Sequence, residues 1–196
     1  MMLGNISIIG WLHSIACVVA LATGAWNLAM GKGTPVHRLV GRTYFATMIV
    51  ANLSVFAVYH FDIAHFRPFT AGAGTFGLFH WEAVTTLLVL FLGVYAASRQ
   101  RRALWAYVHP LAMLTTYYML IGGLINEAFV RIDALRAIVR AHAHGPNAFF
   151  ATPAVGLAQS GAMLLFIVLA LYFVVKVALY RRSLKRGATM GAPSPA

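Results

Sequence analysis

The sequence predicts an all-α integral membrane bundle of five transmembrane helices, and three observations carry that expectation. Of 196 residues, 61% are hydrophobic and only 10% charged, whereas soluble domains average about 25% charged residues. Five apolar stretches, near 6–29, 39–59, 76–97, 103–130 and 155–180, recur between polar connections. Each is long enough to cross a hydrocarbon core of roughly 30 Å at about 1.5 Å per residue.

The first stretch follows Met1-Met2-Leu3-Gly4-Asn5, which lacks the basic region of a signal peptide, and it contains Trp11, His13 and Trp26; it reads as a retained helix. Short connections at 30–38 and 98–102 make helices one and two, and three and four, antiparallel neighbours. The connection from His60 to about Thr75 is longer, with Gly72 and Gly74 for turns and Phe61, Phe66 and Phe69 for the membrane interface. The longest connection, 131–153, holds a predicted short surface helix over 132–141 before Gly145-Pro146-Asn147 breaks it. The organisation is thus a four-helix membrane core over 1–130, an outer connector over 131–154, a fifth transmembrane helix over 155–186 and a disordered tail over 187–196 rich in Gly, Pro, Ser and Ala. No internal repeat with a regular period is visible.

Charge sets the expected orientation. With the N-terminus outside and the C-terminus inside, the inner segments hold Lys32, Arg38, Arg42, Arg99, Arg101, Arg102, Lys176, Arg181, Arg182, Lys185 and Arg186, leaving Arg67, Arg131, Arg136 and Arg140 outside. That is the asymmetry of a cytoplasmic face. The net charge of +11 is therefore a topology signal, and nucleic acid is not an expected partner. All four acids, Asp62, Glu82, Glu127 and Asp133, fall on or near the outer face. The single cysteine, Cys17, excludes an internal disulfide and a cysteine-rich metal site, and reads as packing in the first helix.

The eight histidines point to chemistry, because an imidazole in lipid needs a partner or a purpose. His13 lies near the outer end of helix one and His80 near the outer end of helix three. His37 stands at the inner start of helix two and His109 near the inner start of helix four. Two cofactors stacked across the bilayer, each held by a pair of neutral imidazoles, would use such a layout. Bis-imidazole ligation suits a b-type haem, whose porphyrin needs an apolar slot and whose propionates prefer a basic or polar edge. Arg38 and Arg42 offer that edge beside His37, with Tyr44, Trp105 and Tyr107 nearby; Trp11 and Trp81 stand beside the outer pair. For His109 two readings remain: a ligand within helix four, or, if that helix starts at Pro110, a cap residue at the membrane edge. His37 likewise reads as a ligand in helix two or as a loop residue just outside it.

This arrangement resembles the four-helix core of the cytochrome b561-like membrane proteins, in which ligands on alternate helices form haem pairs on opposite sides. The resemblance lies in ligand layout over roughly residues 6–130. Leu12-His13, the stretch His37-Arg38-Leu39-Val40-Gly41-Arg42-Thr43-Tyr44, and His109 followed by Met113 and Tyr117 also resemble a family of uncharacterised bacterial multi-helix membrane proteins with a His-Arg-x-x-Gly-Arg signature. That resemblance implies a shared membrane fold and a multi-pass place in the bacterial inner membrane, with no defined activity.

The leading expectation is transmembrane electron transfer through b-type haem, one or two per chain, with His13 and His80 as outer ligands and His37 and His109 as inner ones. It would make the chain a membrane oxidoreductase component with a quinone or redox protein as partner, in addition to membrane lipids. The competing expectation is a transporter or sensor in which His13, His60, His80, Asp62, Glu82 and Glu127 hold a divalent metal such as zinc, iron or copper. Glu82 lies two residues from His80, so the two side chains point to different helix faces and only one would enter a tight site. A third reading is a non-catalytic scaffold whose histidines secure helix ends.

Lesser features have plainer explanations. His142-x-His144 reads as a polar connector before it reads as a metal site. Arg131 and Asp133 are expected to form an exposed pair, worth less than about 1 kcal/mol. Thr115, Thr116, Tyr117 and Tyr118 make a polar patch suited to a quinone head or to helix packing. Gly24, Gly93, Gly122 and Gly123 allow close helix approach. No nucleotide-binding or metalloprotease motif is present, and five helices with so few polar residues are poorly suited to line a channel.

Overall fold

The computed structural model describes residues 8–58, 78–99, 103–142, 149 and 152–190. Six α-helices account for nearly all of these described residues. They are α1 (Ile8–Ala29), α2 (Pro35–Val58), α3 (Leu78–Ser98), α4 (Trp105–Arg131), α5 (Asp133–His142) and α6 (Pro153–Met190). All but α5 are long and apolar enough to span a membrane, so the protein is an all-α, multi-pass membrane protein.

Local chemistry sets the helix ends. Lys32 donates to the terminal α1 carbonyls of Asn27 and Leu28, and Gly33 takes a positive φ of 79° in the turn, where a side chain would be strained. Thr34 caps α2 by accepting the His37 amide at 3.1 Å, and Pro35 fills the first helical position, where its missing N–H costs nothing. His37 is thus inside α2. Helix α4 begins at Trp105, a full turn before His109, so His109 lies within the helix and Pro110 is tolerated in its interior. At its other end α4 breaks at Ile132, whose backbone is extended, and α5 starts with Asp133 and closes with Arg140 and His142, the order that the helix dipole favours. The expected surface helix is therefore present, offset by one residue. Helix α6 continues to Met190, so 187–190 is helical where a tail was expected; 191–196 lies outside the described residues.

The four long N-terminal helices close into a ring. Helix α1 packs on α2, α2 on α3, α3 on α4, and α4 more lightly on α1. This leaves α1 and α3 as one diagonal and α2 and α4 as the other. The middle of the ring is filled by Ala20, Tyr44, Met48 and Leu90, with Met113, Tyr117 and Leu120 against them. Tyr44 reaches across the second diagonal to Thr116, hydroxyl to hydroxyl at 2.9 Å. Gly24 makes room for the Tyr117 ring and Gly93 for Met113, two of the close approaches expected from glycine. A second apolar cluster, Val55, Phe79 and Ala83, closes the end where α2 finishes and α3 begins.

Helices α5 and α6 both join α4. Helix α6 is fastened by Gln159, whose amide nitrogen donates to Asn126 Oδ1 at 2.8 Å and to the Gly122 carbonyl at 3.2 Å, and by the tilted contact of the Tyr118 and Phe166 rings. Most of its apolar side chains, such as Leu164, Val168 and Leu171, face outward, as a lipid-facing helix requires. It is an accessory to the four-helix core.

Candidate functional site

The histidines occupy two levels of the ring. Near the start of α1 and α3, His13 and His80 stand on one diagonal; near the start of α2 and α4, His37 and His109 stand on the other. The spacing follows from α3, where His80 and Gly93, the residue that holds His109, are thirteen positions apart, or about 20 Å at 1.5 Å per residue. Between the levels lies the packed layer of Tyr44, Met48, Leu90 and Tyr117.

At the first level, His13 Nδ1 is 3.0 Å from the Ala51 carbonyl and 2.9 Å from Ser54 Oγ. A carbonyl only accepts, so Nδ1 carries the ring proton. Ser54 spends its own proton on the same Ala51 carbonyl at 2.8 Å, leaving its oxygen as a second acceptor for His13. The lone pair then resides on Nε2, 3.6 Å from the Cys17 thiol. His80 is 1% exposed and packs against the Phe56 ring with centroids 5.5 Å apart. Ser54 and Phe56 are two residues apart on α2, so the two imidazoles meet different sides of the same turn of that helix. Small buried side chains, Ala16, Ala51 and Ala83, lie within a turn of these contacts.

The second level repeats part of this arrangement. His109 Nδ1 donates to the Gly93 carbonyl at 2.8 Å, again leaving the Nε2 lone pair for another group. His37 is held in the opposite sense. With its amide oxygen toward the Gly41 N–H at 3.0 Å, Asn27 directs its nitrogen to the His37 carbonyl and to His37 Nδ1, both at 3.2 Å. His37 Nδ1 therefore accepts, and its proton is on Nε2. Lys32 and His109 are near enough to His37 to act on it electrostatically. Arg38 and Arg42 are exposed on α2 at this end.

The expected outer metal cluster does not form among the described residues: no three His, Cys, Asp or Glu side chains gather there. Glu82 faces Gly123 of α4, its Oε1 3.6 Å from where a Cβ on that glycine would stand, while His80 faces α2, as their two-residue spacing requires. Glu127 lies near His13 but is paired with Arg131. His60 and Asp62 lie outside the described residues. The expected Arg131–Asp133 pair is replaced by two helical ones, Arg131 with Glu127 and Arg136 with Asp133 at 2.8 Å. The break at Ile132 separates residues 131 and 133, whereas four- and three-residue spacings within one helix bring charges together. His142 Nδ1 turns back to the Ile138 carbonyl at 2.9 Å; His144 lies outside the described residues.

The polar patch on α4 is committed to packing. Thr116 bonds Tyr44, Tyr117 donates to the Leu21 carbonyl at 3.2 Å, and Thr115 bonds its own helix. Sequence reasoning missed Ser54, Asn27 and the role of Cys17 beside His13. The four-residue spacing of His13 and Cys17 was a readable signal; the other two act from neighbouring helices and had none.

One imidazole at each level, His13 and His109, has its Nδ1 proton on a backbone carbonyl and its Nε2 lone pair turned away from that bond. Imidazoles that hold metals donate their second nitrogen to a carbonyl or carboxylate, as His13 and His109 do. Helix α4 contacts four other helices, and most of its side chains from Trp105 to Ile125 are half-buried. No family model, curated protein or solved structure matches the chain.

Proposed function

We infer that this protein carries electrons across a membrane, holding b-type haem between histidines on diagonal helices. The observation that carries the reading is that four histidines divide between the two diagonals of one helical ring, a diagonal per level, with one imidazole at each level already held by Nδ1 to a backbone carbonyl. His13 and His80 are the primary pair, and His37 and His109 the secondary one, because His37 must exchange its Nε2 proton to Nδ1 before it can act as a ligand. Rotation of the Asn27 amide, which puts its oxygen toward Nδ1, supports that exchange. When bound, a haem supplies a one-electron couple at its iron. The chain's own part is to orient the imidazoles through Ala51, Ser54 and Gly93, to separate the levels by the Tyr44–Thr116 layer, and to keep water out with apolar side chains.

The excess of basic residues at the His37 end supports a cytoplasmic location for that end, with the N-terminus outside, in a bacterial inner membrane. The quinone or redox protein that such a carrier serves would meet it at the two ends. The scaffold reading has its own observation, since His13 fastens α1 to α2 and His109 fastens α4 to α3. Visible spectra and haem content of the protein purified in mild detergent, for the wild type and the His13→Ala and His80→Ala variants, separate the two. Electron transfer predicts haem in the wild type and its loss at the first level in both variants. A scaffold predicts no haem in any of them after expression with ample haem supply.

A further inference from the structure

The His37 end carries positive charge from several elements without a matching acid. The described acids are all at the other end: Glu82 beside His80, Glu127 near His13, and Asp133 at the start of α5. Within this basic end, two lysines from distant parts of the sequence attend one turn of α6. Lys32, in the turn after α1, places its ammonium 5.4 Å from the centroid of the Phe173 ring. Lys176 follows Phe173 by three residues, on the same side of the helix, and donates to the Tyr172 hydroxyl at 3.1 Å. The two ammonium groups are close enough to repel, and burial together with Lys176 holds Lys32 below its ordinary pKa.

The lysines and the tyrosine here have hydrogen-bond donors to spare. Lys32 gives two N–H groups to the Asn27 and Leu28 carbonyls and has one left. Lys176 uses one on Tyr172, and because that hydroxyl accepts, its own proton is free to be donated. Donors on three groups, two of them cationic, thus lie together where the α1–α2 turn meets α6. Their depth suits a headgroup: Lys176 is 23 residues beyond Pro153, about 35 Å along α6 at 1.5 Å per residue, just past a hydrocarbon core of about 30 Å.

We propose that Lys32, Lys176 and Tyr172 form a binding site for a phosphate group, supplied by an acidic phospholipid and bridging the α1–α2 turn to α6. A phosphate between the ammonium groups turns their repulsion into attraction and ties the accessory helix to the core at an end where the Gln159–Asn126 fastening does not reach.

The test is lipid retention by the full chain in mild detergent, read by native mass spectrometry, with phosphatidylglycerol and phosphatidylcholine of matched acyl chains as probes. The wild type is expected to retain one phosphatidylglycerol in preference to phosphatidylcholine. Lys176→Met should weaken that retention about fivefold, the contribution typical of one basic residue at an acidic surface, and Tyr172→Phe should weaken it less. Arg182→Met, an exposed charge of the same end, should leave it unchanged. Equal retention of the two lipids, or full retention by Lys176→Met, overturns the proposal. So does equal weakening by Arg182→Met, which would mark a diffuse charge effect. Displacement of the lipid by inorganic phosphate at comparable concentration overturns the lipid assignment in favour of free phosphate. Lys176 is exposed and outside the core, so its variant tests the site without unfolding the bundle.

Discussion

Replacing Gly24 with alanine tests whether the α1–α4 side of the ring closes as described. A Cβ at this position would stand 2.5 Å from Tyr117 Cε2 and 3.0 Å from Tyr44 Cε2, where ordinary contact begins at 3.4 Å. The Tyr117 ring must therefore retreat by about 1 Å, toward neighbours already packed on the buried Tyr44–Met48–Leu90 layer. Overpacking of this kind costs about 1–3 kcal/mol. The retreat also lengthens the 3.2 Å bond from the Tyr117 hydroxyl to the Leu21 carbonyl, worth roughly 0.6 kcal/mol within a membrane. Alanine's better helix propensity returns at most about 1 kcal/mol. The expected net loss is about 0.6–2.6 kcal/mol, measured as a lower unfolding midpoint in a titration of the detergent-solubilised protein with sodium dodecyl sulfate. In a Tyr117→Ala background only the milder 3.0 Å approach to Tyr44 remains, and Gly24→Ala should cost much less. Equal destabilisation in both backgrounds would show that Tyr117 does not occupy the space beside Gly24.

Two further predictions concern the histidine levels. Ser54→Ala removes one of the two acceptors of the His13 Nδ1 proton and should lower haem retention roughly tenfold, while Cys17→Ala, which clears the thiol from Nε2, should leave it equal or higher; haem transfer to apomyoglobin measures both, and a weaker Cys17→Ala protein with an unaffected Ser54→Ala protein contradicts the assignment. Asn27→Asp places an acceptor opposite His37 Nδ1 and should shift the His37 proton from Nε2 to Nδ1, visible in the nitrogen-15 NMR shifts of the imidazole, with greater haem occupancy at the second level. An unchanged His37 tautomer would argue against Asn27 as its determinant.

The bundle was legible because hydrophobic length is a direct physical requirement of a bilayer. Five stretches gave five spanning helices, and Thr34-Pro35 and Ile132 mark ends that side-chain chemistry explains. The two histidine levels were also legible, since depth follows from counting residues along a helix. The rotational partners were not. Ala51 and Gly93 act through their carbonyls, which every residue possesses, so no side chain announces them. Asn27 reaches His37 only because the Gly33–Thr34 turn folds α2 back along α1. Arg131 and Asp133 misled because adjacency in sequence was read across a helix break, whereas Glu127–Arg131 and Asp133–Arg136 lie at helical spacings.

Transmembrane electron flow is the central claim, and vesicles test it most directly. The wild-type protein, purified with whatever haem it retains, is reconstituted into liposomes containing ferricyanide, and ascorbate is added outside. The account predicts bleaching of the trapped ferricyanide well above the rate in protein-free vesicles, and a return to that background with His13→Ala or His80→Ala. A wild-type rate no faster than that of protein-free vesicles, or an undiminished rate in both variants, contradicts it.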